Sequence, residues 1–102
     1  MPILSMMRVS GDADELAAAI REHLAPVAER LSAKHGGLMN LLVRTDEGLL
    51  MINLWESEEG RHAMAEEPEI QEAIRATGLP EPHFEAHEIL GLSVGEGLAA
   101  HA

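Results

Sequence analysis

Apolar positions along this chain change period several times, and each change marks an element. Ile3 to Val9 mixes β-branched and Met residues and stops at Ser10-Gly11, which predicts a strand. Asp12 follows with Glu15 three positions on, the spacing of a capping box at a helix start. Leu16, Ile20, Leu24, Val27 and Leu31 then recur at helical spacing to about Lys34, while Arg21, Glu22 and Glu29 fall away from that stripe. Pro26 lies inside the pattern. It has no amide hydrogen and its ring meets the carbonyl of Glu22, so a kink is expected there. Gly36-Gly37 supplies a left-handed stop.

Leu38 to Arg44 and Leu49 to Trp55 are short apolar runs joined by Thr45-Asp46-Glu47-Gly48, which predicts a β-hairpin. Ser57 caps a second helix, and Glu56, Glu58 and Glu59 put negative charge at its positive end. Pro68 interrupts that helix. A continuation carries Ile70, Ala73 and Ile74 to Gly78, Pro80 and Pro82 enforce a loop, and His83 to Leu90 makes the last strand. The order β-α-β-β-α-β predicts a ferredoxin-like α+β fold, a four-stranded antiparallel sheet with both helices on one face. One domain is expected over residues 1–92. The tail, 93–102, has no period and is either mobile or laid across a partner.

The hairpin is apolar on both sides. Met39, Leu41 and Val43 share a face with Leu50, Ile52 and Leu54. The opposite face holds Leu38, Leu42, Leu49, Met51 and Trp55, interrupted by Asn40 and Asn53. Helices can cover only one of these faces, and the other would leave a large apolar patch on water. A second sheet from an identical chain is the economical cover, so a homodimer is expected.

Charge narrows the partners. Net charge is −11, and the seven cations are scattered along the chain, so no phosphate-tracking stripe exists. Nucleic acid and anionic membrane are not expected partners. The chain has no cysteine, which removes disulfides, thiolate nucleophiles and Cys-ligated metals, and a cytoplasmic setting is expected. Trp55 and Phe84 are the only aromatics, so aliphatic residues and six Met fill the core.

Leu54-Trp55-Glu56-Ser57-Glu58-Glu59 is a strand-end Trp followed by a capped, acidic helix start. With the Pro68 break and a late strand carrying Phe84, it resembles the dimeric α+β barrel family, in its antibiotic-biosynthesis-monooxygenase-like branch, over roughly residues 1–90. The resemblance implies a dimer. It spans cofactor-independent oxygenases of quinone-forming polyketide steps, haem-degrading enzymes and proteins without assigned activity. The haem-degrading branch has a Trp and, ten residues later, a His on the second helix. Ungapped counting from Trp55 puts Met64 and Ile74 there, which argues against haem degradation. The oxygenases pair the strand-end Trp with an Asn on the same strand and an Arg further on. Asn53 lies on that strand, about two positions off, and Arg75 is the candidate for the arginine.

Each candidate has a plain role beside its chemical one. Trp55 could stack on a flat aromatic substrate and offer its indole N–H, although a lone large aromatic is more often packing. Asn40 and Asn53 could bind a substrate carbonyl or an enolate, or could bond to each other. Met64 is grouped with Trp55 and Asn40 as a substrate contact. His23 falls on the first helix's apolar stripe, should point at the sheet and is a candidate base, while a core-edge histidine is commoner. His62 is expected at the surface. His83, Glu85 and His87 share one strand face, but a strand spacing rarely completes a metal site, so no metal is expected. Gly91, Gly95 and Gly97 form no phosphate loop. The leading expectation is a cofactor-independent monooxygenase acting on an aromatic polyketide-like or quinol substrate, with Asn53, Arg75 and His23 as catalytic residues. The alternative is a non-catalytic dimeric module that binds a hydrophobic small molecule.

Overall fold

The computed structural model describes residues 2–97. In chain order the elements are β1 (Ile3–Ser10), α1 (Ala13–Ala19), a π turn (Ile20–Leu24), α2 (Ala25–Ser32), β2 (Gly37–Arg44), β3 (Gly48–Trp55), α3 (Glu58–Ala65), α4 (Pro68–Thr77) and β4 (His83–Glu88). The four strands pair antiparallel in the order β2-β3-β1-β4, a ferredoxin-like α+β fold as expected.

Local chemistry sets the boundaries. Asp12 accepts the amide of Glu15 at 3.0 Å and starts α1. Ser57 accepts the amide of Gly60 at 3.1 Å and starts α3. The second break comes at Glu66-Glu67, and Pro68 opens α4 from its first turn, where a missing N–H costs nothing. Gly78, at φ 66°, closes α4 in the left-handed region. β4 ends at Glu88 rather than Leu90, after which Ile89 donates to the carbonyl of Pro2 at 2.8 Å. Of the tail, residues 98–102 lie outside the described residues; Val94 is exposed, as is Leu92 just before the tail.

The break foreseen at Pro26 takes the form of a wide turn. The amide of Ala25 donates to the carbonyl of Ile20, five residues back, and α2 restarts with Pro26 in its first turn. In that first turn the N–H that proline lacks would have had no helical partner.

The core lies between the helices and one sheet face. Ile3, Met7 and Val9 of β1 pair with Trp55, Met51 and Leu49 of β3 and pack with Leu16, Ile20, Leu24, Leu31, Met64, Ile70 and Ala73. The helices therefore take the Trp55 side. Alternation leaves Leu4, Met6, Met39, Leu41, Val43, Leu50, Ile52 and Leu54 on the other face. Leu41 is 43% and Val43 37% exposed in the single chain, while Leu54 is buried. A bulge between Gly37 and Met39 sets Leu38 out of the ladder.

Candidate functional site

The helices stand off the sheet far enough to leave a cavity of about 830 Å³, within the size range of small-molecule sites. Residues without bulk make the room on the helix side: Ala25, Ala28, Ser32 and Ala65 all face it. Its floor is the middle of the sheet, where Ser5 of β1, Asn53 of β3 and Asn40 of β2 lie in one cross-strand row. Leu24, Ile70 and Ile74 form apolar walls, and Phe84, 61% exposed, stands at the margin.

Trp55 lines this cavity and is 7% exposed. Its indole N–H donates to the Ser5 hydroxyl at 3.0 Å, so that donor is already engaged and what Trp55 can offer a ligand is ring surface. Asn40 and Asn53 line the cavity and bond across the hairpin, the Asn40 Nδ2 donating to the Asn53 Oδ1 at 2.7 Å. Among the described residues this leaves the Asn53 Nδ2 as donor and the Asn40 Oδ1 as acceptor without a protein partner. Met64 lies in the same wall.

His23 and Arg75 are elsewhere. His23 borders a separate shallow recess of about 280 Å³ with Val27, Glu69, Glu72, Ala73 and Ala76; its imidazole is 39% exposed, 3.6 Å from Glu22. The expectation that His23 points at the sheet assumed continuous α-helical spacing. Ile20 and Leu24 of the apolar stripe are buried in the π turn, while His23 is exposed. Arg75 lies on the outer side of α4 and donates to Glu72 at 2.5 Å, whereas Ile70 and Ala73 are buried. His62 is exposed and pairs with Glu66 at 3.0 Å. Glu85 sits between His83 at 3.4 Å and His87 at 3.6 Å, and no metal-binding group of three such side chains occurs among the described residues.

Two polar cavity residues, Arg61 and Ser5, were not singled out from sequence. Arg61, on α3, lines the cavity three residues before Met64, and its side chain is 27% exposed. Its Nε donates to both carboxylate oxygens of Glu58 at 3.1 and 3.0 Å, and its Nη2 donates to one of them. The guanidinium holds the Glu58 carboxyl below its ordinary range, and Glu58 in turn holds Arg61 more firmly protonated. The signal was present in helix phase, since an inward Met64 puts position 61 on the same side. Ser5 was also missed, because a serine in a strand announces no partner.

No family profile and no curated protein matches the sequence. Solved structures do. A "putative antibiotic biosynthesis monooxygenase" from Deinococcus radiodurans aligns over 93% of this chain and 97% of its own, at 22% identity and a TM-score of 0.65. SnoaB of Streptomyces nogalater, a cofactor-independent oxygenase, aligns over 89% of this chain and 93% of its own, at 14% identity and a TM-score of 0.64. A dimeric ferredoxin-like protein from an uncultured marine organism aligns over 93% and 92%, at 15% identity and a TM-score of 0.65. The resemblance seen in the sequence thus has its counterpart in three dimensions: the chain shares the fold of the antibiotic-biosynthesis-monooxygenase-like structures.

Proposed function

We propose that this protein is a cofactor-independent monooxygenase acting on a flat aromatic, polyketide-like or quinol substrate. The observation that carries the reading is the cavity of about 830 Å³, apolar in its walls, floored by the asparagine pair and flanked by Trp55. SnoaB, alike in fold, is a cofactor-independent oxygenase, which supports the reading further.

In this chemistry an activated ring CH2 beside a carbonyl loses a proton, and the charge moves onto the carbonyl oxygen. The anion passes one electron to dioxygen, the radical pair combines to a peroxide, and loss of water leaves a new carbonyl. One CH2 and one O2 become one C=O and one H2O. The protein's part is to hold the ring and steady the anion. Trp55 supplies the stacking face, and the Asn53 Nδ2 supplies a donor to the enolate oxygen. Arg61 replaces Arg75 as the guanidinium N–H donor to that oxygen, because Arg61 lines the cavity and Arg75 does not. His23 lies outside the cavity and is not assigned the proton. The reading needs no cofactor.

The functional unit is a homodimer closed over the second sheet face, supported by the exposure of Leu41 and Val43 and by the dimeric state of one structural relative. Its compartment is the cytoplasm, supported by the lack of cysteine. No described helix is long and apolar enough to cross a membrane.

The test is turnover of an anthrone in air and under nitrogen by the wild type, Trp55→Phe and Asn53→Ala. Oxygen-dependent quinone formation is expected, reduced about 10²-fold in Asn53→Ala, in line with loss of one anion-stabilising donor. Binding without turnover across several anthrones and quinols would instead favour a ligand-binding module. The bond that Trp55 makes to Ser5 and the bond between the two asparagines already fit that second reading.

A further inference from the structure

We propose that Arg61 and Glu58 form a selectivity element for this cavity, one that accepts a neutral carbonyl or phenol oxygen and turns away a carboxylate; the proposal rests on the reading that the cavity takes a flat aromatic ligand. Among the described residues Arg61 is the only cation in the lining, and the other charged residues there are Glu29 and Glu85. Glu58 is not part of the lining and stands behind Arg61, 54% exposed. It engages the Nε and Nη2 edge of the guanidinium, and Nη1 has no partner among the described residues.

That arrangement separates the donor from the charge. The ion pair is neutral overall, so the N–H left over by Glu58 is what Arg61, as a lining residue, has to offer a ligand, without an unbalanced positive field. A neutral oxygen acceptor needs only the free N–H. A ligand carboxylate needs the charge as well, and would have to compete with Glu58 for it. It would do so near Glu29 and Glu85, in a chain of net charge −11. Removing the carboxylate of Glu58 while keeping its shape should therefore convert the cavity from rejecting anionic rings to accepting them.

The experiment is quenching of the single tryptophan by two probes, 1,8-dihydroxyanthraquinone and anthraquinone-2-carboxylate, at neutral pH. The wild type should bind the dihydroxy probe at least about tenfold more tightly. Glu58→Gln should bring the two affinities together by tightening the carboxylate. Arg61→Gln should weaken the dihydroxy probe severalfold and leave the carboxylate weak. Glu59→Gln, with the same charge change on an exposed neighbour, should leave the ratio alone. Equal affinities in the wild type, or the same change of ratio in Glu59→Gln as in Glu58→Gln, would overturn the selectivity element while the aromatic cavity stood. Failure of both probes to quench would remove the aromatic cavity itself, and the selectivity element with it.

Discussion

Gly60 shows how narrowly α3 is seated. A Cβ at this position would lie 2.1 Å from the carbonyl oxygen of His35, in the turn that follows α2. Alanine is the better helix former by about 1 kcal/mol, so propensity alone favours the replacement. Packing reverses the sign: Gly60→Ala must push α3 off that turn, and we expect a net loss of about 1–3 kcal/mol in urea unfolding. An unchanged or raised midpoint would show that the helix has room to shift. The same residue scale explains what sequence reading caught and missed. Trp55, Asn40 and Asn53 stood out because they interrupt or end apolar patterns, and Met64 by counting from Trp55; all four line the cavity. Arg75 was taken as the arginine that follows the strand-end Trp in the resembling oxygenases, with no account of helix phase; the phase set by Ile70 and Ala73 turns position 75 outward. Arg61 lay in phase with Met64, but an arginine beside three glutamates reads as a solvated helix start.

At the scale of elements, the joint between α3 and α4 is held by a side chain with a measurable signature. The His35 Nε2–H donates to the Glu67 carboxylate at 2.8 Å, and the Lys34 ammonium lies 3.4 Å from the same oxygen. These partners, the histidine first, hold the Glu67 carboxyl below its ordinary value of 4.5. A depressed carboxyl adds stability that is fully present above pH 4.5 and is lost as pH falls through the depressed value. Thermal unfolding of wild type and Glu67→Gln should therefore differ by a constant amount from neutral pH down to that range, then converge in more acidic buffer. A gap that stayed constant into strong acid would dissociate Glu67 from the effect. Sequence periodicity delivered nearly every element here, because helical and strand spacings are distinct and Ser57, Asp12 and Gly78 act locally. It did not deliver the π turn. Leu16, Ile20, Leu24 and Leu31 satisfy an α pattern equally well, and Pro26 announces a break without saying how the backbone makes it.

For the whole molecule, fold was legible and cavity volume was not. Volume depends on how far the helices stand from the sheet, a sum over many small side chains that no single motif reports. The covered and uncovered sheet faces make a sharper prediction. Sedimentation equilibrium at micromolar concentration should return twice the 11.0 kDa mass of one chain, and Leu41→Lys, on the open face, should return a single chain. A wild type that stayed single at all concentrations would remove the dimer. An apolar pattern on both sides also bears on how the hairpin finds its alignment. In most sheets a slip of one residue turns greasy side chains toward water and is rejected at once. Here such a slip exchanges one greasy surface for another, so hydrophobicity is nearly blind to the error. Discrimination falls to a few polar contacts: the Thr45–Gly48 closure and the amide bridge between Asn40 and Asn53. The amides that face the cavity are thus also what guards the chain against misaligned, aggregation-ready hairpins as it folds.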